Sequence, residues 1–283
     1  MALTFGINTF LWASPFRTKD LAYFDKAKQI GYDLVEIPIE SEGDLDYAKA
    51  AAAYERSGLK SSICAVMGAS RDPSHPDTAV QKGAIAYMKH CIDAAVIMKS
   101  VAVVGPLYAA VGRQWQATPA QREKDLARCA KNLKVIAKYA QDNGVILALE
   151  PLNRFETSFI NLTEQALELV KMIDNPSVRL MMDTFHANIE EKSLGKAIEL
   201  AGSLMAHMHA NENDRGTPGS GHVNWVEVAA ALKKLKYSGP LVIESFSTSV
   251  KEIARAAAVW RPLAPSSDEL ATKGLAFLKK LMA

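Results

Sequence analysis

Four side chains that commonly bind metal ions stand at equivalent places in the second half of the sequence. Glu150, Asp183, His209 and Glu244 each close a short apolar run. A single acid at such a place is more often a helix cap or a salt-bridge partner, and a single histidine can be an ordinary core residue. Three carboxylates and an imidazole gathered together would repel or be driven to neutral forms, and a divalent cation removes that conflict. Their joint occurrence therefore predicts a metal site.

The types of these side chains also indicate the metal. Three carboxylates and one imidazole, without a thiolate, favour Mn²⁺ or Mg²⁺ and accept Co²⁺. Six-coordinate geometry would leave room for oxygen atoms of a substrate, whereas a structural zinc site would be closed and tetrahedral. The cysteines Cys64, Cys91 and Cys129 are scattered without CxxC spacing, so they predict reduced thiols and no structural zinc.

Regular elements must bring these distant residues together, and the sequence alternates short apolar runs with longer amphipathic stretches. The apolar runs predict strands buried on both faces at Thr4–Asn8, Leu34–Pro38, Ser61–Val66, Val101–Gly105, Val145–Glu150, Val178–Asp183, Met205–His209 and Leu241–Glu244. The amphipathic stretches predict helices at Leu21–Ile30, Asp44–Ser57, Thr78–Met98, Pro119–Asn143, Thr163–Ile173, Ser193–Ala201, Trp225–Lys236 and Asp268–Met282.

This succession of βα units, with no linker or change in composition, predicts one α/β domain over residues 1–283, a single (β/α)8 TIM barrel. The alternative is a doubly wound open sheet, which usually has about five or six strands and a glycine-rich phosphate turn after the first. The segment Phe5–Trp12 offers no such turn. Because active sites of TIM barrels lie at the carboxyl ends of the strands, we expect the four side chains to converge there.

The composition of the chain argues against two classes of partner, nucleic acids and membranes. The 283 residues carry 33 Lys and Arg against 31 Asp and Glu, a net charge of +2, and 49% are hydrophobic. The near-neutral charge argues against nucleic-acid binding, and no apolar run approaches the roughly 20 residues of a membrane span. The first residues lack the basic segment of a signal peptide, so we expect a cytoplasmic protein.

Other residues near the predicted strand ends could complete a pocket. The polar candidates follow the fifth, sixth and seventh strands, and aromatic side chains could form the walls: Glu156, His186, Arg215, Trp12, Trp115 and Phe246. His207 shares a strand face with His209, and we expect it one layer deeper, as packing or as support for His209.

The motifs around these residues resemble the ketose 3-epimerases, the group of D-tagatose 3-epimerase and D-allulose (D-psicose) 3-epimerase. The motifs that carry the resemblance are Glu150-Pro-Leu-Asn-Arg-Phe-Glu156, Asp183-Thr-Phe-His186, His207-Met-His209 with Arg215, Gly219-Ser-Gly221 before Trp225, Glu244-Ser-Phe246 and Val259-Trp-Arg261. They occur in order over essentially the whole chain. The resemblance implies a metal held by Glu150, Asp183, His209 and Glu244, and substrate oxygens held by Glu156, His186 and Arg215. It also implies a homodimer or homotetramer.

Inversion at C3 of a ketose requires removal of the proton beside the C2 carbonyl and its return on the opposite face. Two acid/base groups are therefore needed. Glu150 and Glu244 follow the fifth and eighth strands and can flank a substrate across the barrel mouth. We expect this pair to act on a free ketose of the D-tagatose, D-fructose/D-allulose or ribulose type.

Other functions are compatible with parts of the pattern. A metal-dependent aldose–ketose or hydroxypyruvate-type isomerase could use the same barrel with one base. A DNA-repair endonuclease on a similar barrel would need a histidine-rich cluster of several metals and a basic surface, against which the six histidines and the charge of +2 argue. A sugar-binding module without catalysis is a further alternative, and activity that appears on addition of Mn²⁺ would exclude it.

Overall fold

In the computed structural model, which describes residues 3–283, eight parallel strands form a closed barrel. The strands are β1 Thr4–Asn8, β2 Leu34–Ile39, β3 Lys60–Ala65, β4 Val103–Gly105, β5 Leu147–Leu149, β6 Val178–Asp183, β7 Met205–His209 and β8 Pro240–Ile243. Each strand pairs with the next, and β8 closes on β1 with Phe5 opposite Leu241. The predicted TIM barrel is confirmed.

The strands β1, β6 and β7 have the predicted bounds, whereas β4 and β5 are shorter than predicted. The apolar run before β5 begins while the preceding helix is still ending, because the Val145 N–H donates to the Ala140 carbonyl at 2.9 Å. Glu150 and Glu244 lie one residue beyond their strands. The Glu150 N–H donates to the Gly105 carbonyl (3.0 Å) and the Glu244 N–H donates to Asn211 Oδ1 (2.8 Å).

The helices of the described residues are α1 Tyr23–Ile30, α2 Tyr47–Ser57, α3 Thr78–Met98, α4 Pro119–Asp142, α5 Thr163–Ile173, α6 Thr184–Glu190, α7 Leu194–Ala201, α8 Trp225–Lys234, α9 Lys251–Ala256 and α10 Ser267–Met282. The bounds of α3 and α5 match the prediction. The prediction lacks the short helices α6 and α9, and α6 begins directly after β6. No helix within residues 3–283 has both the length and the apolar character needed to cross a membrane.

At the end of β4, Gly105 packs closely against the end of β3. Gly105 has φ +126°, and a Cβ there would lie 2.9 Å from the Ala65 carbonyl oxygen. Only glycine adopts this conformation without strain and leaves room for the neighbouring strand. The same residue accepts the Glu150 N–H, so this backbone position helps to place the Glu150 side chain.

Candidate active site

The four predicted ligands converge at the carboxyl end of the barrel. His209 Nδ1 lies 3.7 Å from Glu150 Oε1, 3.9 Å from Asp183 Oδ2 and 3.5 Å from Glu244 Oε2. All of these side chains are buried. Four parallel strands that end at one rim bring together residues that are up to 94 positions apart, from Glu150 to Glu244 (244 − 150).

The donor atoms of this cluster fit a divalent cation. Glu150 Oε1 and His209 Nδ1 are buried and have no hydrogen-bond partner in the described part of the chain. Buried polar atoms without partners cost free energy, so such atoms usually serve a ligand. Ligand atoms of Asp183, His209 and Glu244 lie within 4.8 Å of one another, as do those of Glu150, Asp183 and His186. A hard cation among them would satisfy both orphaned atoms.

Glu36, which the sequence analysis did not single out, fixes the orientation of His209. Its Oε1 lies 2.7 Å from His209 Nε2 and accepts from Asn8 Nδ2 at 2.9 Å. Its Oε2 accepts from the Ser62 hydroxyl (2.8 Å) and lies 2.9 Å from His207 Nε2. With Nε2 engaged, His209 turns Nδ1 towards the three carboxylates, as metal-binding imidazoles commonly do. His207 thus lies beneath His209, as expected.

A signal for Glu36 was present in the sequence. It is the charged residue in the run Leu-Val-Glu-Ile-Pro-Ile of β2, all of which is buried. A carboxylate in the middle of a strand that is buried on both faces needs partners inside the barrel. Which partners it finds depends on the opposite side of the barrel.

The electrostatics of the cluster divide the acids into two kinds. Burial and the charges of Glu244 and Asp183 raise the pKa of Glu150 well above its usual value, and burial raises the pKa of Asp183 to about 6. Burial acts in the same direction on Glu244, but the positive charges of His209 and Arg215 outweigh it and lower its pKa to about 2. One acid thus favours the protonated form and another the carboxylate.

His209 shows that the centre of the cluster favours positive charge. Burial lowers the pKa of this imidazole, but the carboxylates of Glu244 and Glu36 outweigh burial and raise it well above its usual value. A divalent cation at the same place would be attracted by the same negative charges and would favour the ionised form of the carboxylates.

Arg215 crosses the mouth of the cluster, as its place after β7 suggested. Its Nη1 donates to Glu244 Oε2 at 2.6 Å, and its Nη2 lies 3.0 Å from His186 Nε2. The guanidinium lies between the rings of Phe185 and Phe246, 4.3 and 4.7 Å from their centroids. The structure therefore brings Arg215, His186 and Phe246 together with the predicted ligands.

His186 and Glu156 meet through Asn153. The Asn153 backbone N–H donates to His186 Nδ1 (3.1 Å), and its side-chain amide donates to Glu156 Oε1 (2.9 Å). His186 lies in α6, whose first turn is capped by the Asp183 carboxylate (2.7 Å to the Phe185 nitrogen). Burial is the largest of the causes that lower the pKa of His186 well below its usual value, and the positive charges of Arg215 and His209 lower it further. The ring is therefore neutral.

Comparisons with known proteins identify the family to which the chain belongs. Residues 24–281 match the family model described as a xylose isomerase-like TIM barrel. The chain is 33% identical over 278 residues to a probable ketose 3-epimerase of Synechocystis sp., with 98% of this chain and 96% of the relative covered. The chain belongs to this barrel family and, within it, to the ketose 3-epimerases. The resemblance expected from the motifs is thereby confirmed.

Other ketose 3-epimerases agree in sequence and structure. A D-psicose 3-epimerase of Ruminiclostridium cellulolyticum is 31% identical, with 93% of this chain and 91% of that protein covered. The crystal structure of a D-allulose 3-epimerase from Methylomonas sp. in complex with D-allulose superposes with a TM-score of 0.92 at 28% identity, covering 98% of this chain and 96% of that one. As a ketose 3-epimerase, the protein is an enzyme of the isomerase class.

Trp12 and Trp115 were suggested as pocket walls of this ketose 3-epimerase. The indole groups of both residues contact the helices that surround the barrel. The Trp12 ring stacks on Tyr23 (5.4 Å between centroids), and its N–H donates to Asp268 of α10 at 3.1 Å. The Trp115 N–H donates to Asp125 of α4 at 3.2 Å. These contacts give both tryptophans a packing role, and a substrate-binding role for them stays a prediction.

Proposed function

We propose that the protein inverts C3 of a free ketose with Glu150 and Glu244 as the acid/base pair. The observation that carries the proposal is the placement of these two buried carboxyl groups 3.7 and 3.5 Å from the same atom, His209 Nδ1. The two side chains directly follow β5 and β8, so a small sugar can lie between them.

In the forward step one carboxylate removes the proton from C3, and the electron pair of that C–H bond moves into the C3–C2–O2 system. The other carboxyl group returns a proton to the opposite face of C3. The product is the C3 epimer, and the two acids have then exchanged protonation states. The reverse reaction uses the same groups with their roles exchanged.

Glu150, Asp183, His209 and Glu244 are the residues that would hold a divalent cation, for which we propose Mn²⁺, with Co²⁺ or Mg²⁺ as alternatives. When bound, such a cation supplies a fixed positive charge for the negative charge that develops on the substrate carbonyl oxygen, worth several kcal/mol. The unpartnered Glu150 Oε1 and His209 Nδ1 support this assignment.

Arg215, His186 and Glu156 are proposed to hold the substrate oxygens near C1–C3, with Phe246, Trp12 and Trp115 as apolar walls. Three arginines of other rim loops are in salt bridges: Arg113 with Asp72 (2.6 Å), Arg154 with Glu190 (2.9 Å) and Arg261 with Asp214 (2.7 Å). These pairs reduce the positive charge available to a phosphate group at the rim, and we propose an unphosphorylated sugar.

The names of the relatives guide the choice of substrate. Curated proteins with 29–33% identity are named ketose, D-psicose and L-ribulose 3-epimerases. We propose a ketose of the D-tagatose, D-fructose/D-allulose or ribulose type. From the motif resemblance we propose a homodimer or homotetramer, and from the sequence patterns a single catalytic domain over residues 1–283 and a cytoplasmic location.

The test is product analysis after incubation with ketohexoses and ketopentoses in D₂O with Mn²⁺. The proposal expects the C3 epimer of at least one ketose, with deuterium at C3 of the product. An aldose with deuterium at C2 would instead identify a metal-dependent aldose–ketose isomerase. Sugar recovered without deuterium and without isomerisation would exclude both enzymatic functions.

A further inference from the structure

The loop between β7 and α8 folds around one buried carboxylate, Glu212. Glu212 Oε2 accepts hydrogen bonds from the Gly219 N–H (2.7 Å) and the Trp225 indole N–H (2.9 Å), and its Oε1 accepts from the Val223 N–H at 2.9 Å. The side chain is fully buried. A carboxylate can accept several N–H bonds at once, and it closes this loop from the inside.

Two glycines of the β7–α8 loop pack too closely on their neighbours to carry a side chain. A Cβ on Gly221 would lie 2.7 Å from Glu212 Cγ, and a Cβ on Gly219, which has φ +86°, would lie 2.4 Å from the Phe277 ring. Neither position has space for a larger residue as the loop is built. The path of residues 213–224 is therefore determined by Glu212 and by the packing of the loop on α10.

The same loop carries Arg215 into the active site. The Arg215 N–H donates to the Glu212 backbone carbonyl at 2.9 Å, and the Ser245 hydroxyl donates to the Arg215 carbonyl at 2.5 Å. The backbone of Arg215 has φ +61°, a left-handed conformation that is costly for a non-glycine residue. Such a conformation persists only where the surroundings hold it.

We propose that Glu212 is the positioning residue that holds Arg215 in place over the active site. Glu212 acts through the loop: its carboxylate ties down both the middle of the loop and its junction with α8. Arg215 then reaches Glu244 Oε2 and His186 Nε2. The proposal rests on the proposed function only in that Arg215 is taken to bind substrate.

The chemistry of the carboxylate makes a conservative test possible. Glutamine has the same shape as glutamate, but its amide nitrogen would face N–H donors, so some of the hydrogen bonds become donor–donor contacts. We expect Glu212→Gln to raise KM and to lower kcat/KM about tenfold to a hundredfold, the scale of a displacement of about 1 Å in a catalytic site.

A double-mutant cycle separates positioning from general destabilisation. If Glu212 acts through Arg215, the double variant E212Q/R215A should be no slower than R215A. The matched control is Asn224→Ala, which removes the cap of α8 at the end of the same loop and should leave KM within about twofold. A wild-type KM in E212Q, or effects of E212Q and R215A that multiply, would overturn the proposal.

A readout without turnover keeps the test valid if no ketose is converted. Trypsin should cleave after Arg215 in E212Q and spare this bond in the wild type and in N224A, because the residue is buried only while the loop is held. Equal resistance of E212Q and the wild type would refute the proposal. If E212Q does not fold, Trp225→Phe removes one N–H donor from the carboxylate and should show weaker cleavage at the same bond. Lack of turnover in the wild type, with the cleavage pattern as expected, would contradict only the proposed function.

Discussion

The imidazole of His209 connects two carboxylate environments: its Nε2 lies 2.7 Å from Glu36 Oε1, and its Nδ1 lies 3.5 Å from Glu244 Oε2. Glu36 belongs to β2, on a different part of the wall from the four predicted ligands. The orientation of one proposed ligand is thus decided by a strand that contributes none of the four proposed ligands.

Changing Glu36 should therefore weaken metal binding without removing a ligand. We expect Glu36→Gln to lower Mn²⁺ affinity about tenfold to a hundredfold, as is typical when the partner of a metal-binding histidine is lost. Isothermal titration calorimetry of the metal-free protein measures this directly. Ser62→Ala removes only a hydroxyl from the other carboxylate oxygen and should have a smaller effect, whereas wild-type affinity in E36Q would contradict the expectation.

The two proposed acid/base residues should be individually indispensable. Glu150→Gln and Glu244→Gln should each lower the rate of C3 inversion by at least about a hundredfold, because proton transfer is lost while the shape of the side chain is kept. Deuterium incorporation at C3 measures the step. Glu199→Gln, an exposed acid paired with Lys234 on the surface, is the control and should keep full activity. Near-normal turnover in either active-site variant would exclude the mechanism with two bases.

Removal of divalent cations should abolish activity and lower thermal stability. A ligand that binds only the folded state stabilises it by about 2.7 kcal/mol when present at a hundred times its dissociation constant. We expect EDTA-treated protein to be inactive, and Mn²⁺ to restore activity and raise the Tm. The same titration with Co²⁺ and Mg²⁺ ranks the metals. Full activity of protein shown by elemental analysis to be metal-free would contradict the proposal.

The pair of buried Asp72 and half-buried Arg113 should contribute to stability. Asp72 is fully buried, and Arg113 Nη1 lies 2.6 Å from its Oδ2. We expect Arg113→Met to lower the free energy of unfolding by about 1–3 kcal/mol, since a buried acceptor loses its charged donor. Urea denaturation provides the measurement. The exposed pair of Lys138 and Asp142 supplies the control, because Lys138→Met should cost less than about 1 kcal/mol. Equal values for the two variants would show that burial of Asp72 is unimportant.

Local sequence pattern is sufficient to predict the barrel and the positions of four candidate ligands. Apolar runs alternating with amphipathic stretches predict a parallel barrel, and residues that directly follow those runs must meet at one rim. The pattern places Glu150, Asp183, His209 and Glu244 at this rim, because each lies at the end of its own strand or directly after it.

How these residues are supported depends on contacts that form only in the folded barrel. Glu36 meets His209 across 173 positions of the chain, and this contact depends on barrel closure and strand register, which no local pattern encodes. Arg215 reaches Glu244 because a loop wrapped around Glu212 holds it in a left-handed conformation. The indole N–H of Trp12 donates to Asp268, 256 positions away in the chain, a partner that only the folded barrel supplies. Periodicity determines which face of an element is buried, whereas the partner on that face is chosen by the packing of the whole barrel.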